Sequence, residues 1–132
     1  MKTHSLLAVG LIIAVASTMS SAAPPVDAPR ITEVFVLDVG QNMPKFIELS
    51  KRIDALVKKY GTQGTSHYWI GQWAGSDAGK VIVTVEFPSL MALAQDEEKI
   101  QSNPEFQKWQ ADAAASGVKL LSQSIVTELK RQ

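Results

Sequence analysis

The architecture of this chain is set by residues 83–109, which read VTVEFPSLMALAQDEEKIQSNPEFQKW. A run of β-branched residues ends at Pro88, and Ser89 then offers a side-chain cap for the helix that follows. Asn103 and Pro104 restart a helix, because asparagine caps helix N-termini and proline is tolerated in the first turn. This segment therefore predicts a strand followed by a helix that is broken near Asn103.

The elements on either side complete a simple order. The other strands are predicted at 31–39, 66–74 and 118–130, the third strand starts at 80, and the first helix is predicted at 44–60. A glycine-containing loop at 75–79 joins the second and third strands, so these two are expected to pair antiparallel. The order β-α-β-β-α-β is that of a ferredoxin-like α+β domain, with a four-stranded antiparallel sheet and both helices on one face.

The N-terminus has the three parts of a signal peptide. Lys2 precedes an apolar run at 6–16, and small residues follow it. The run is shorter than the roughly 20 residues of a spanning helix, so we expect no stable membrane anchor. We predict a signal peptide at 1–22, an extended leader at 23–30 and a single domain at 31–132. The mature protein is then expected to be periplasmic or secreted.

Composition excludes several classes of function. The 132 residues contain 13 Lys and Arg against 13 Asp and Glu, and this zero net charge argues against a nucleic-acid-binding protein. The absence of cysteine excludes disulfides and thiol chemistry. With one histidine in the mature chain we expect no metal site, and without a dinucleotide or phosphate-binding fingerprint we expect no cofactor.

Both faces of the predicted sheet carry apolar residues. The third strand presents Val81, Val83, Val85 and Phe87 on one face and Ile82, Thr84 and Glu86 on the other. One chain's helices can cover only one face, and a second face this apolar needs another cover. A partner sheet is the simplest cover. The sequence therefore predicts a homodimer that packs sheet on sheet.

The chain resembles the dimeric α+β barrel superfamily. It is most similar to small domains of the antibiotic biosynthesis monooxygenase (ABM) type and their stress-responsive and NIPSNAP-like relatives. The resemblance covers about residues 31–130 and is most specific at 83–109, where the strand ends in Glu-Phe-Pro-Ser-Leu and the broken helix resumes at Asn-Pro-Glu-Phe. The run at 73–75, followed by 78–81, also resembles the family's second hairpin.

The resemblance implies ligand chemistry without selecting one reaction. Family members include cofactor-independent oxygenases of aromatic polyketides and enzymes that degrade haem, with ligands between the open face of the sheet and the helices. The haem-degrading branch uses an Asn in the first strand, a Trp near the end of the third and a His on the next helix. Here the first strand has no Asn, the Trp position is Glu86 and the His position is near Gln110. Haem degradation of that type is therefore not expected.

Two side chains are candidate catalytic groups. His67, beside a pocket, could take a proton from a phenolic substrate, or it could be a strand histidine bonded to a neighbour. On the resemblance, Glu86 faces the barrel interior and could serve as acid or base. The alternative interpretation is that Glu86 is a carboxylate at the end of the strand, paired with a lysine.

Four aromatic residues are candidate ligand-binding residues, namely Tyr68, Trp69, Trp73 and Trp109. They suit a flat ligand, but ordinary core and interface packing is the simpler explanation. Alternation places His67, Trp69 and Trp73 on one face of the strand and Tyr68 on the other, so they cannot all line one cavity.

Two further motifs are interpreted as structural. The acidic run at 96–98 is most simply a solvated helix face. The Gly-Thr-Gln-Gly sequence at 61–64 is explained as a helix cap plus a turn.

Two functions remain open at this stage. The first is an exported ABM-like protein that binds a small aromatic or apolar ligand in the barrel, with cofactor-independent monooxygenase activity if it is an enzyme. The second is a non-catalytic dimeric binding or stress-responsive module with a packed barrel interior. An enclosed cavity reached by His67 or Glu86 would favour the first function.

Overall fold

A computed structural model describes residues 29–72 and 75–131. Along the chain the elements are β1 (Ile31–Asp38), α1 (Met43–Tyr60), β2 (Thr65–Ile70), β3 (Val81–Phe87), α2 (Leu90–Ser102), α3 (Pro104–Ala115) and β4 (Lys119–Thr127). The strands form one four-stranded antiparallel sheet in the order β2-β3-β1-β4. The predicted ferredoxin-like α+β fold is thereby confirmed. The predicted signal peptide and most of the leader lie outside the described residues.

Local signals start and stop the helices where the sequence predicts. The Ser89 side chain accepts a hydrogen bond from the Ala92 amide at 3.1 Å and caps α2. The Asn103 side chain accepts from the Glu105 amide at 2.8 Å and caps α3. Gly61 ends α1 with a φ of 62°, a left-handed conformation that glycine adopts without a Cβ penalty. The break between α2 and α3 therefore follows from the extended backbone at Asn103.

The register of the sheet assigns each strand residue to a face. Phe87 lies opposite Ile31, and both are buried against Ala92 and Leu93 of α2, with Val85 packed on them. This side, the helix-covered face, also carries Tyr68, whose ring meets Phe46 of α1. The opposite side is named the uncovered face; it carries Thr65, His67, Trp69, Ile82, Thr84, Glu86, Thr32, Val34, Val36, Ser122, Ser124 and Val126.

The helices also pack on each other. Phe106 of α3 is completely buried, and its ring lies 5.6 Å from the ring of Tyr60 of α1. Trp109 donates from its indole nitrogen to the Leu49 carbonyl at 2.8 Å. These contacts hold α3 against α1. None of the helices in the described part of the chain is both long and apolar enough to cross a membrane.

Strand β4 is the least covered element of the sheet. It pairs only with β1, and every one of its residues is exposed. Ile125 on the helix-covered face and Val126 on the uncovered face are 42% and 47% exposed. The helices thus leave β4 open on both of its faces.

Candidate functional site

The uncovered face brings together the candidate residues His67 and Trp69. Trp69 lies opposite Ile82, but its indole nitrogen donates to the Thr84 hydroxyl at 3.1 Å. Thr84 lies opposite His67 across the two strands. The hydrogen bond to Thr84 therefore brings the indole of Trp69 toward His67. The two rings are 6.2 Å apart and tilted by 39°. They form an aromatic surface in which Trp69 remains 56% exposed.

Glu86 lies on the same face at the end of β3. It is opposite Thr65, and the next residue of β2 on that face is His67. Side chains offset diagonally in this way lie about 7 Å apart, so the two candidate catalytic groups border one surface. Glu86 forms an ion pair with Arg30 at 3.6 Å. The carboxylate is therefore paired, as one of its two interpretations predicted, although the cation is arginine instead of lysine.

Tyr68 belongs to the opposite face, as alternation predicts. Its hydroxyl donates to the Asp54 carboxylate at 2.8 Å, and its ring meets Phe46 edge-on at 6.2 Å. Burial, followed by the bond to Asp54, raises the pKa of Tyr68 well above its ordinary value. Tyr68 is therefore a neutral hydrogen-bond donor that ties β2 to α1, separated by the sheet from His67.

Of the remaining two aromatic candidates, Trp109 does not join this surface. Trp109 lies between α3 and α1, where its nitrogen bonds the Leu49 carbonyl. Trp73 is outside the described residues. His67, Trp69 and Glu86 are thus the candidates that the described chain places together.

Sequence reasoning missed Glu33, a buried carboxyl in the middle of β1. It is 7% exposed and lies on the helix-covered face. Gln123 donates to it at 3.3 Å. Burial raises the pKa of Glu33; the Gln123 bond acts in the opposite direction, and the charge of Glu97 adds to the rise. The alternation of β1 could have revealed this burial. Glu33 lies two residues from Ile31 and two from Phe35, so it shares their apolar face.

Asp96 corrects the interpretation of the acidic run at 96–98. That run was predicted to be a solvated helix face, but Asp96 is 2% exposed. One carboxylate oxygen accepts from the Gln63 amide at 2.6 Å and from the Gly64 amide at 2.9 Å. The prediction is wrong for this residue because the turn at 61–64 folds against α2. The interpretation of that turn as a structural feature agrees with these bonds.

An open groove of about 470 Å³ lies between the C-terminal half of α1 and the start of β2. It is lined by Asp54, Val57, Lys58, Gly61, Thr62, Gly64, Thr65 and Ser66. Neither His67 nor Glu86 belongs to its lining, so this groove does not serve the aromatic surface. Within residues 29–72 and 75–131, no group of three or more His, Asp or Glu side chains is placed to hold a metal ion.

Comparison with known proteins identifies the fold. The sequence matches no protein-family model and no curated protein. Among solved structures, it is similar to a NIPSNAP family protein from Agrobacterium tumefaciens, with a TM-score of 0.59 and 15% identity over 77% of this chain and 86% of that one. A NIPSNAP-like domain protein from Burkholderia xenovorans gives a TM-score of 0.54 and 15% identity over 77% of this chain and 85% of that one.

A third similar structure comes from a plant. A hypothetical protein of Arabidopsis thaliana, solved in solution, gives a TM-score of 0.54 and 14% identity over 86% of this chain and 95% of that one. At these identities the likeness concerns the fold alone. The chain therefore has an α+β fold similar to that of the NIPSNAP-like structures.

Proposed function

We propose that this chain is an exported, homodimeric ABM-like domain that binds a small aromatic or apolar ligand. One observation carries the proposal: the uncovered face leaves Trp69 exposed in the same row as the apolar Ile82 and Val36. Apolar sheet surface of this kind is rarely left in water, and a second copy of the sheet would cover it. Two such faces would enclose the aromatic surface of His67 and Trp69 between them.

Catalysis, if the protein is an enzyme, would be cofactor-independent monooxygenation at this surface. His67 or Glu86 would take a proton from a phenolic substrate. The resulting anion would reduce dioxygen, so that one oxygen atom enters the product as a quinone carbonyl and the other leaves as water. The ion pair between Glu86 and Arg30 instead supports the second candidate function, a non-catalytic dimeric or stress-responsive module. In that case side chains would fill the space between the two sheets.

The dimer can be tested at Val34, in the middle of the uncovered face. We expect Val34→Lys to abolish dimerisation, because a lysine there would bury an ammonium group between two sheets. Light scattering at micromolar concentration should give a dimeric mass for the wild type and a monomeric mass for Val34→Lys. The Tm of the wild type should rise with protein concentration, since association stabilises the folded state.

The control for this variant is Ala55→Lys, which adds the same charge on an exposed position of α1. It should leave both the mass and the Tm unchanged within error. A monomeric wild type whose Tm does not depend on concentration would refute the proposed dimer.

Export is tested by the mass of the protein isolated from its native cells. We expect the first 22 residues to be missing, because a basic start, a short apolar run and small residues precede the domain. Retention of Met1 or Lys2 in the intact mass would refute the proposed signal peptide.

A further inference from the structure

Glu33 is a buried carboxyl in an apolar row of the sheet. The register places it between Val85 of β3 and Ile125 of β4, and Phe35 is the next residue of β1 on the same face. One carboxylate oxygen accepts from the Gln123 amide at 3.3 Å. Within the described residues its other oxygen has no hydrogen-bond partner, and no lysine or arginine lies at ion-pair distance.

The fold gains nothing evident from a charged group at this position. An ionised carboxylate loses its hydration on burial, and a single long bond to an amide replaces little of that loss. Burial and the nearby charge of Glu97 both raise the pKa of Glu33, so its ionisation opposes folding. A glutamine would accept the same hydrogen bond at a lower cost. Buried, uncompensated groups of this kind are typical of binding sites.

On its β4 side, Glu33 borders residues that the helices leave uncovered. Gln123 is exposed and Ile125 is 42% exposed, because the helices do not cover β4. The Gln123 amide donates to Glu33, so the carbonyl oxygen of the same amide can accept. The carboxylate oxygen and this carbonyl are acceptors, and apolar side chains flank them. This combination fits a cation that is also a hydrogen-bond donor and carries an apolar body.

We propose that Glu33 and Gln123 bind the protonated amine of a small aromatic amine, whose ring packs on Phe35 and Ile125. This amine site is a second site, and it does not depend on the small-ligand function proposed above for the uncovered face. An ammonium group supplies the donors that the two acceptors lack, and it compensates the buried carboxylate. The site lies on the helix-covered face, separate from the surface of His67 and Trp69.

The test uses three probes with the same ring and different charge, namely benzylamine, benzyl alcohol and phenylacetate. Calorimetric titration at pH 7 should show that benzylamine binds the wild type at least about tenfold more tightly than benzyl alcohol, a difference of about 1.4 kcal/mol. Glu33→Gln should remove this preference. Glu98→Gln, which neutralises an exposed carboxylate of α2, should keep it.

The outcomes separate this proposal from the proposed function. Equal binding of the three probes, or a benzylamine preference that persists in Glu33→Gln, would overturn the amine site and leave the small-ligand function standing. Failure of all three probes to bind at millimolar concentration would likewise overturn the amine site, whereas the proposed function is tested separately by the Val34→Lys variant.

Stability measurements give an independent readout on the same variant. Because the pKa of Glu33 is raised in the folded state, the wild type loses stability as pH rises from about 4.5 through that higher pKa. Glu33→Gln lacks this loss, so we expect it to be more stable than the wild type at pH 7, with the difference shrinking toward pH 4. A variant that is less stable at pH 7 would show that Glu33 has a structural role, and the proposal would fail.

Discussion

Replacing Asp96 by alanine should lower the free energy of unfolding by about 3 kcal/mol. The Asp96 carboxylate accepts two backbone amides, those of Gln63 and Gly64, at a site that is 2% exposed. Hydrogen bonds to a charged group contribute about 1.5–3 kcal/mol each, and partly buried amides without a partner carry a further penalty. For a domain of this size the Tm should fall by about 15 °C. Urea denaturation followed by circular dichroism measures the change.

Two variants control for the loss of charge and for the loss of helical side-chain area. Asp96→Asn keeps one oxygen that can accept both amides, so we expect it to cost only about 1 kcal/mol. Glu98→Ala removes an exposed carboxylate from the same helix and should change stability by less than about 0.5 kcal/mol. If Asp96→Ala behaved like Glu98→Ala, Asp96 would not hold the turn at 61–64.

The contrast between Asp96 and Ser89 shows what could be predicted from the sequence. Ser89 caps a helix by accepting a hydrogen bond from the amide of Ala92, three residues away. A short stretch of sequence is therefore enough to predict its role. Asp96 binds amides 33 and 32 residues away, and no local pattern distinguishes it from its acidic neighbours. The order of elements and the caps are local properties, whereas burial of one carboxylate depends on how a distant turn packs.

In the candidate site, too, the local features were predicted from the sequence and the long-range contacts were not. Alternation along β2 predicted that His67 and Trp69 share a face and that Tyr68 takes the other, because side chains in a strand repeat every two residues. The partner of Glu86 was predicted less well. Arg30 precedes β1, and the pairing of Ile31 with Phe87 brings it beside the end of β3. That contact depends on the strand register, which sequence periodicity does not specify.

Replacing Phe106 by alanine should have the largest effect, a loss of about 4 kcal/mol in the free energy of unfolding. Phe106 is 0% exposed and packs against Tyr60, so truncation removes buried apolar area and leaves a cavity between α3 and α1. Such substitutions cost about 3–5 kcal/mol in well-packed cores. The midpoint of urea denaturation should be compared at one fixed protein concentration, because an associating protein gains stability with concentration.

Trp109→Phe is the matched variant for this helix contact. It keeps an aromatic ring between α3 and α1 but removes the indole donor to the Leu49 carbonyl, which should cost about 1 kcal/mol. If the interface between α3 and α1 is held mainly by packing, Phe106→Ala must therefore be several times more costly than Trp109→Phe. A ratio near one would mean that α3 shifts to refill the cavity, since the measured cost of truncation depends on how far a site can collapse.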